Sequence, residues 1–278
     1  MTTWTSPAIS SMRLERPRSL AHALDLLEAD RGLTPMAGCT DLYVGIHFGS
    51  LKQRRFLDLQ PLASLRKIQK RPDGTLVLGA LVTYSQCLDS PLVARALPML
   101  ASAAKEIGGV QIRNRGTLGG NLGNASPAGD TLPVFLAADA TVVLASARGV
   151  RRVPISQFFL GYRKTARRHN ELITEIEVPP IAGKQWFRKV GTRAANAISK
   201  VVAAGVRGEG ITFALGAVAP VAMRAYAAEC ALGSALPLSE AHRALRSEIT
   251  PIDDLRSTAA YRARTACALL TQFWSETR

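Results

Sequence analysis

Cysteine is scarce in this 278-residue chain and poorly spaced for chemistry. Cys39, Cys87, Cys230 and Cys267 form no CxxC pair, which excludes a zinc ribbon, a disulfide framework and an iron–sulfur cluster held by this chain alone. His22, His47, His169 and His242 show no ligand spacing, so no metal site and no catalytic acid or base is assigned. No apolar run reaches the roughly 20 residues that a membrane-spanning helix needs. The N-terminus, MTTWTSPAISSMRLERP, lacks the basic segment and apolar stretch of a secretory signal. A cytoplasmic protein is expected, with export on a signal-bearing partner left open. Aromatic residues are only 6% and rarely stand among basic ones, so a base-stacking surface is missing. Acidic residues are outnumbered 21 to 35, giving a net charge of +14. The excess is broken into short patches at 52–55, 66–71 and 163–168, which favours an acidic partner protein or an anionic cofactor over nucleic acid. The patch Arg163-Lys164…Arg167-Arg168 reads as a solvated turn, with partner docking or NADH phosphates as the other readings.

What is present is a core and glycine. Hydrophobic residues make up 47% of the chain, ample for two domains or one domain with clear lobes. Residues 19–28 carry a helical apolar stripe behind a serine cap. Helices are also expected at 42–48, 97–107, 132–137, 239–246 and 258–274. Strands are expected at 56–59, 76–82, 140–145, 153–155, 186–190 and 211–218, and a half-buried alternating strand, ELITEIEV, at 171–178. Strands in runs and clustered helices point to an α+β fold. Pro179-Pro180 and Gly183 mark a boundary between a domain over 10–180, itself in two lobes with a break near 65–75, and a small α+β domain over 181–278.

Between two of these helices runs QIRNRGTLGGNLGNASPAGD, 111–130, which reads as a long glycine loop of bare backbone and small donors. A second glycine turn, AGCTDL, lies at 37–42. Neither is a GxGxxG between strand and helix, and no GxxxxGK[ST] occurs, so the Rossmann and P-loop phosphate sites are poor readings. Two donor-rich loops far apart in sequence can grip a diphosphate from two sides; the competing reading is a pair of tight surface turns.

The same residues carry a resemblance. AGCTDL looks like the AGGTDL element of the molybdenum hydroxylase flavoproteins, and 111–140 is close to that family's second FAD element. FFLGYRKT at 158–165, ELITEIEVP at 171–179 and FRKVGTR…ISKV between 187 and 201 match as well. The chain resembles the FAD-binding medium subunit of xanthine dehydrogenase or carbon monoxide dehydrogenase type enzymes over almost its whole length. The resemblance implies a two-lobed flavin domain of the vanillyl-alcohol oxidase type followed by a small C-terminal α+β domain. It implies that Ala37, Gly38, Cys39, Thr40, Asp41 and Leu42 wrap the FAD pyrophosphate. Thr117, Leu118, Gly119, Gly120 and Asn121 would approach it from the other side. Asp130 would sit near the flavin and ribityl chain, Ile107 and Ile173 would be apolar flavin neighbours, and Lys189 a basic residue near the ring.

The implied partners are a large molybdenum–pterin subunit and a small subunit with two [2Fe–2S] clusters, in a heterotrimer and a dimer of it. The implied function is electron transfer from the clusters, through FAD, to NAD⁺, O₂, a quinone or a carrier protein. A stand-alone flavin-dependent reductase and a flavin-less basic scaffold or nucleic-acid-binding protein are the alternatives. Two positions depart from the family pattern. Cys39 stands where a second glycine is usual, as a tolerated small residue or a reactive thiol. AANA at 194–197 replaces an acidic stretch common in xanthine dehydrogenases, and SPAGD at 126–130 leans away from the carbon monoxide branch.

Overall fold

The serine cap forms as its position implies: Ser19 Oγ accepts the His22 N–H at 3.1 Å, and helix α1 (Leu20–Ala29) buries Ala23, Leu24 and Leu27. The computed structural model describes residues 11–193, 196–234 and 236–278; the start of the N-terminal segment and Ala194-Ala195 of the AANA departure lie outside them. Helix α1 shares a small core with a parallel sheet of β1 (Arg13–Glu15), β2 (Thr34–Met36) and β3 (Arg55–Asp58), β3 in the middle. The chain leaves β2 through AGCTDL into helix α2 (Leu42–His47) before returning to β3. This is the first lobe.

The second lobe is an antiparallel sheet of β4 (Ile68–Lys70), β5 (Leu76–Gly79), β6 (Thr141–Ser146), β7 (Gly149–Pro154) and, after the hairpin β8–β9 (Phe159–Gly161, Lys164–Thr165), β10 (Leu172–Val178). The spatial order is β4-β5-β10-β6-β7. Between β5 and β6 come helices α3 (Tyr84–Asp89), α4 (Pro91–Ala96), α5 (Pro98–Glu106), α6 (Val110–Arg115), α7 (Leu118–Asn124) and α8 (Leu132–Ala137).

The run at 111–130 is therefore not a loop: most of it is α6 and α7, despite glycine's poor helix propensity. Tertiary contacts supply what propensity lacks. Thr117 Oγ1 accepts the Gly120 N–H at 3.1 Å, while the N–H groups of Leu118 and Gly119 donate to Val82 and Ala80 at 3.0 and 2.8 Å. A Cβ on Gly119 would stand 2.6 Å from that of Ala80, so glycine is what lets α7 approach the segment that follows β5.

The remaining chain forms the antiparallel meander β11 (Lys184–Val190), β12 (Val201–Arg207), β13 (Ile211–Gly216) and β14 (Met223–Arg224). Helices α9 (Tyr226–Gly233), α10 (Leu238–Glu248) and α11 (Ala259–Glu276) follow. One face of this sheet, with Trp186, Val201, Ala203, Phe213 and Leu215, shares a core with these helices. The other face, with Phe187, Val202, Ala204 and Ala214, joins the core of the second lobe. Covered on both faces, β12 reads VVAAGVR with no polar alternation, which is why periodicity does not reveal it. The whole is α+β, as expected, with the C-terminal sheet sandwiched between its own helices and the second lobe.

Candidate cofactor site

A cavity of about 990 Å³ opens where the two lobes and the C-terminal sheet meet. It gathers Ala37, Gly38, Cys39, Thr40, Asp41 and Leu42 from the first lobe and Ile107, Thr117, Gly119, Gly120, Asn121, Asp130 and Ile173 from the second. Lys189 comes from β11. Of the residues expected there, only Leu118 is not in the lining. It is fully buried in the second-lobe core, and helical geometry turns it away from its neighbours.

The first loop is built by close approach. A Cβ on Gly38 would lie 1.8 Å from the Arg115 carbonyl oxygen, so its bare Cα serves contact between the two glycine segments rather than contact with a ligand. Cys39 has φ 63, the left-handed region that explains why glycine is usual there. Its Sγ lies 3.8 Å from the Ala37 carbonyl, and burial pushes the thiol's pKa up against an opposing pull from Arg115. Among the described residues, the N–H groups of Gly38, Cys39, Thr40 and Asp41 donate to no protein acceptor.

Opposite stands a buried network that crosses between domains. Lys189 Nζ donates to Asp130 Oδ2 at 2.7 Å and to the Glu106 carbonyl at 3.1 Å, and Ser199 Oγ donates to Asp130 Oδ1. Burial raises the pKa of the Asp130 carboxyl, and the Lys189 charge and hydrogen bond oppose that rise. Asp130 and Lys189, expected as separate contacts, are thus one ion pair. Asn121 Oδ1 accepts the buried Thr131 hydroxyl at 2.6 Å, which fixes its amide.

Several lining residues were not assigned to the site from sequence. The basic patch at 163–168 is not simply a solvated turn: Arg163 and Arg167 both line the cavity, because the β8–β9 hairpin turns back across it. Arg163, itself at φ 53, donates from Nη1 to Asn124 Oδ1 at 2.5 Å and to Asp41 Oδ2 at 3.3 Å, bridging the lobes. From the C-terminal domain come Ile198, Ile252, Asp254, Arg256 and Arg262. The match at 158–165 was the available signal for Arg163. Nothing local signals the 250–256 segment.

With this geometry in hand, comparison with known proteins is direct. The model for the FAD binding domain in molybdopterin dehydrogenase matches residues 10–181, and that for the CO dehydrogenase flavoprotein C-terminal domain matches 186–277. The chain belongs to this flavoprotein family. It is the FAD-binding medium-subunit type of molybdenum hydroxylase, an oxidoreductase subunit.

The glyceraldehyde dehydrogenase medium chain of Sulfolobus acidocaldarius is 32% identical over 280 residues, covering 97% of this chain and 98% of that one. The carbon monoxide dehydrogenase medium chain of Hydrogenophaga pseudoflava is 32% identical over 262 residues, 90% and 91% of the two chains. A xanthine dehydrogenase FAD-binding subunit of Escherichia coli O157:H7 is 36% identical over 165 residues. The match spans 59% of this chain and little more than half, 56%, of that relative. Among solved structures, carbon monoxide dehydrogenase from Hydrogenophaga pseudoflava superposes with a TM-score of 0.89 at 30% identity, covering 96% of each chain. Quinoline 2-oxidoreductase from Pseudomonas putida 86 gives 0.89 at 26% identity, covering 98% of each.

The cavity fits the family's cofactor chemically. The 38–41 loop presents backbone donors that the protein leaves unused, as a diphosphate requires. Ile107, Ile173, Ile198 and Ile252 give apolar walls for a ring system.

Proposed function

We propose that this chain is the FAD-carrying electron-transfer subunit of a three-subunit molybdenum hydroxylase. It takes electrons from the [2Fe–2S] clusters of a small subunit and passes them to an external acceptor, NAD⁺, O₂, a quinone or a carrier protein. Substrate chemistry belongs to a large molybdenum–pterin partner, the heterotrimer pairs into a dimer, and the assembly works in the cytoplasm. Residues 10–180 form the flavin domain, two lobes divided near 65–75, and 181–278 the C-terminal domain.

The observation that carries this reading is convergence: AGCTDL, the Thr117, Gly119, Gly120 and Asn121 set, Asp130 and Lys189, far apart in sequence, line one cavity. Gly38 through Asp41 would hold the diphosphate by backbone N–H groups, with Ala37 and Leu42 shaping the loop. Thr117, Gly119, Gly120 and Asn121 would close its far side. Ile107 and Ile173 would exclude water from the ring, and Leu118 would support the wall from behind. Bound FAD supplies a carrier that exchanges electrons one at a time with clusters and two at a time with hydride acceptors. Lys189, held in place by Asp130, would offer an ammonium hydrogen-bond donor toward a reduced, anionic ring.

The test is reconstitution of the purified chain with FAD, followed by desalting. One flavin per chain with its visible absorbance bands is expected; a colourless protein refutes the proposal. Co-expression with its molybdenum and iron–sulfur partners should then yield one complex.

A further inference from the structure

Five basic side chains line the cavity: Arg163, Arg167, Lys189, Arg256 and Arg262. Four of them touch a carboxylate of the protein. Arg163 pairs with Asp41 at 3.3 Å and Lys189 with Asp130 at 2.7 Å, while Arg256 and Arg262 share Asp254 at 3.0 and 2.7 Å. Arg167 has no carboxylate partner among the described residues; its Nη1 donates only to the backbone carbonyls of Arg168, His169 and Glu171, at 3.1, 3.5 and 2.8 Å. The nearby acid is already engaged, since Glu171 accepts from Arg151 at 2.6 and 2.8 Å and from the Arg168 N–H at 2.7 Å. Nε and Nη2 of Arg167 have no protein acceptor among the described residues and are not sealed against protein. Burial lowers this guanidinium's pKa, and the charge of Glu171 opposes that fall without bonding to it.

Its place in the cavity is also informative. The Glu171 carbonyl that anchors Arg167 precedes Leu172, which belongs to the first-lobe core with Leu59 and Leu81, and Ala37 packs on that core. The guanidinium and the 38–41 loop with its unused N–H groups thus line one cavity, on chain segments that pack against one core. An anion entering there meets backbone donors on one side and a fixed cation on the other.

We infer that Arg167 is a ligand-binding residue that takes a phosphoryl oxygen of the FAD diphosphate, opposite the backbone donors of residues 38–41. The three carbonyls and the Arg151–Glu171 pair preorganise it, so little side-chain entropy is lost on binding. The inference rests on the FAD reading above and deepens it.

The test is titration of the full-length apoprotein with FAD at several salt concentrations. Arg167→Gln should weaken binding about 10- to 100-fold, the range for losing one hydrogen bond to a charged group. It should also flatten the salt dependence, because one screened attraction has gone. Arg167→Lys, which keeps the charge, should restore most of the salt dependence. A second measurement needs no variant: saturating FAD or inorganic pyrophosphate should shield Arg167 of the wild-type chain from phenylglyoxal, mapped by mass spectrometry. Wild-type affinity in Arg167→Gln, weakened affinity with an unchanged salt dependence, or equal modification of Arg167 with and without ligand would each overturn the inference. If the wild-type chain binds no FAD, the proposed function fails instead.

Discussion

Cys39 combines two costs at one position. A left-handed backbone costs a non-glycine residue about 1–2 kcal/mol, and the half-buried thiol makes one weak hydrogen bond, to the Ala37 carbonyl at 3.8 Å. Glycine would remove the strain but free the unfolded chain by about 0.4–1 kcal/mol. Cys39→Gly is therefore expected to stabilise the protein by up to about 1 kcal/mol in urea unfolding. A clear loss would mean that thiol packing outweighs the strain. Because burial raises its pKa, Cys39 should stay protonated near neutral pH and react slowly with a disulfide reagent, while the exposed Cys230 labels first. Preferential labelling of Cys39 in peptide mapping would restore the reading of a reactive thiol. The glycine-to-cysteine departure was legible in the sequence. Its meaning was not, because φ at one residue is set by where the flanking strand and helix must go.

Among the elements, β10 depends most on charge. ELITEIEV reads as a strand with one wet face, yet Glu177 is buried, covered by Arg71 at 2.6 Å and Arg152 at 3.0 Å. Glu171, just before the strand, is clamped by Arg151 and the Arg168 N–H. For both carboxyls burial alone would raise the pKa, but the arginine hydrogen bonds outweigh it and hold the value below 4.5. A folded pKa below the unfolded one means that the unfolded chain takes up protons first. This stabilisation is therefore present above about pH 4.5 and drains away as pH falls through the folded values.

The expected result is a stability that declines on acidification through that window, with Glu171→Gln flattening the decline. Because Arg151 is 34% exposed, that substitution should cost about 1–3 kcal/mol rather than the full penalty of a broken buried pair. An acid profile identical to that of the wild-type chain would contradict this assignment. Alternation located β10 correctly and misjudged its wet face, since long arginines from neighbouring strands cover polar positions that periodicity counts as solvent-facing.

Across the whole molecule, the Asp130–Lys189–Ser199 network joins the second lobe to the C-terminal sheet beside the cavity. The Lys189 and Asp130 side chains are only 5% and 10% exposed, so removing one partner strands the other. Asp130→Ala is expected to cost about 3–5 kcal/mol and to release bound flavin. Unfolding can be followed by the fluorescence of Trp186 and Trp274, which both pack in the C-terminal core. A loss below about 1 kcal/mol would show that the pair contributes little beyond its own desolvation.

By itself the sequence determined the α+β class, helices such as α1 and α11, and the two glycine segments, because those follow from local periodicity, capping and turn chemistry within a few residues. Motif resemblance extended this to the family and its cofactor. Tertiary structure alone decided that the glycine run is helical, that β12 exists, that Asp130 and Lys189 are partners, and that Arg167, among the described residues, is the cavity cation left without a carboxylate. Each of these depends on groups far apart in the chain, and whether a charge is paired or a glycine is covered is a property of what folding brings alongside it.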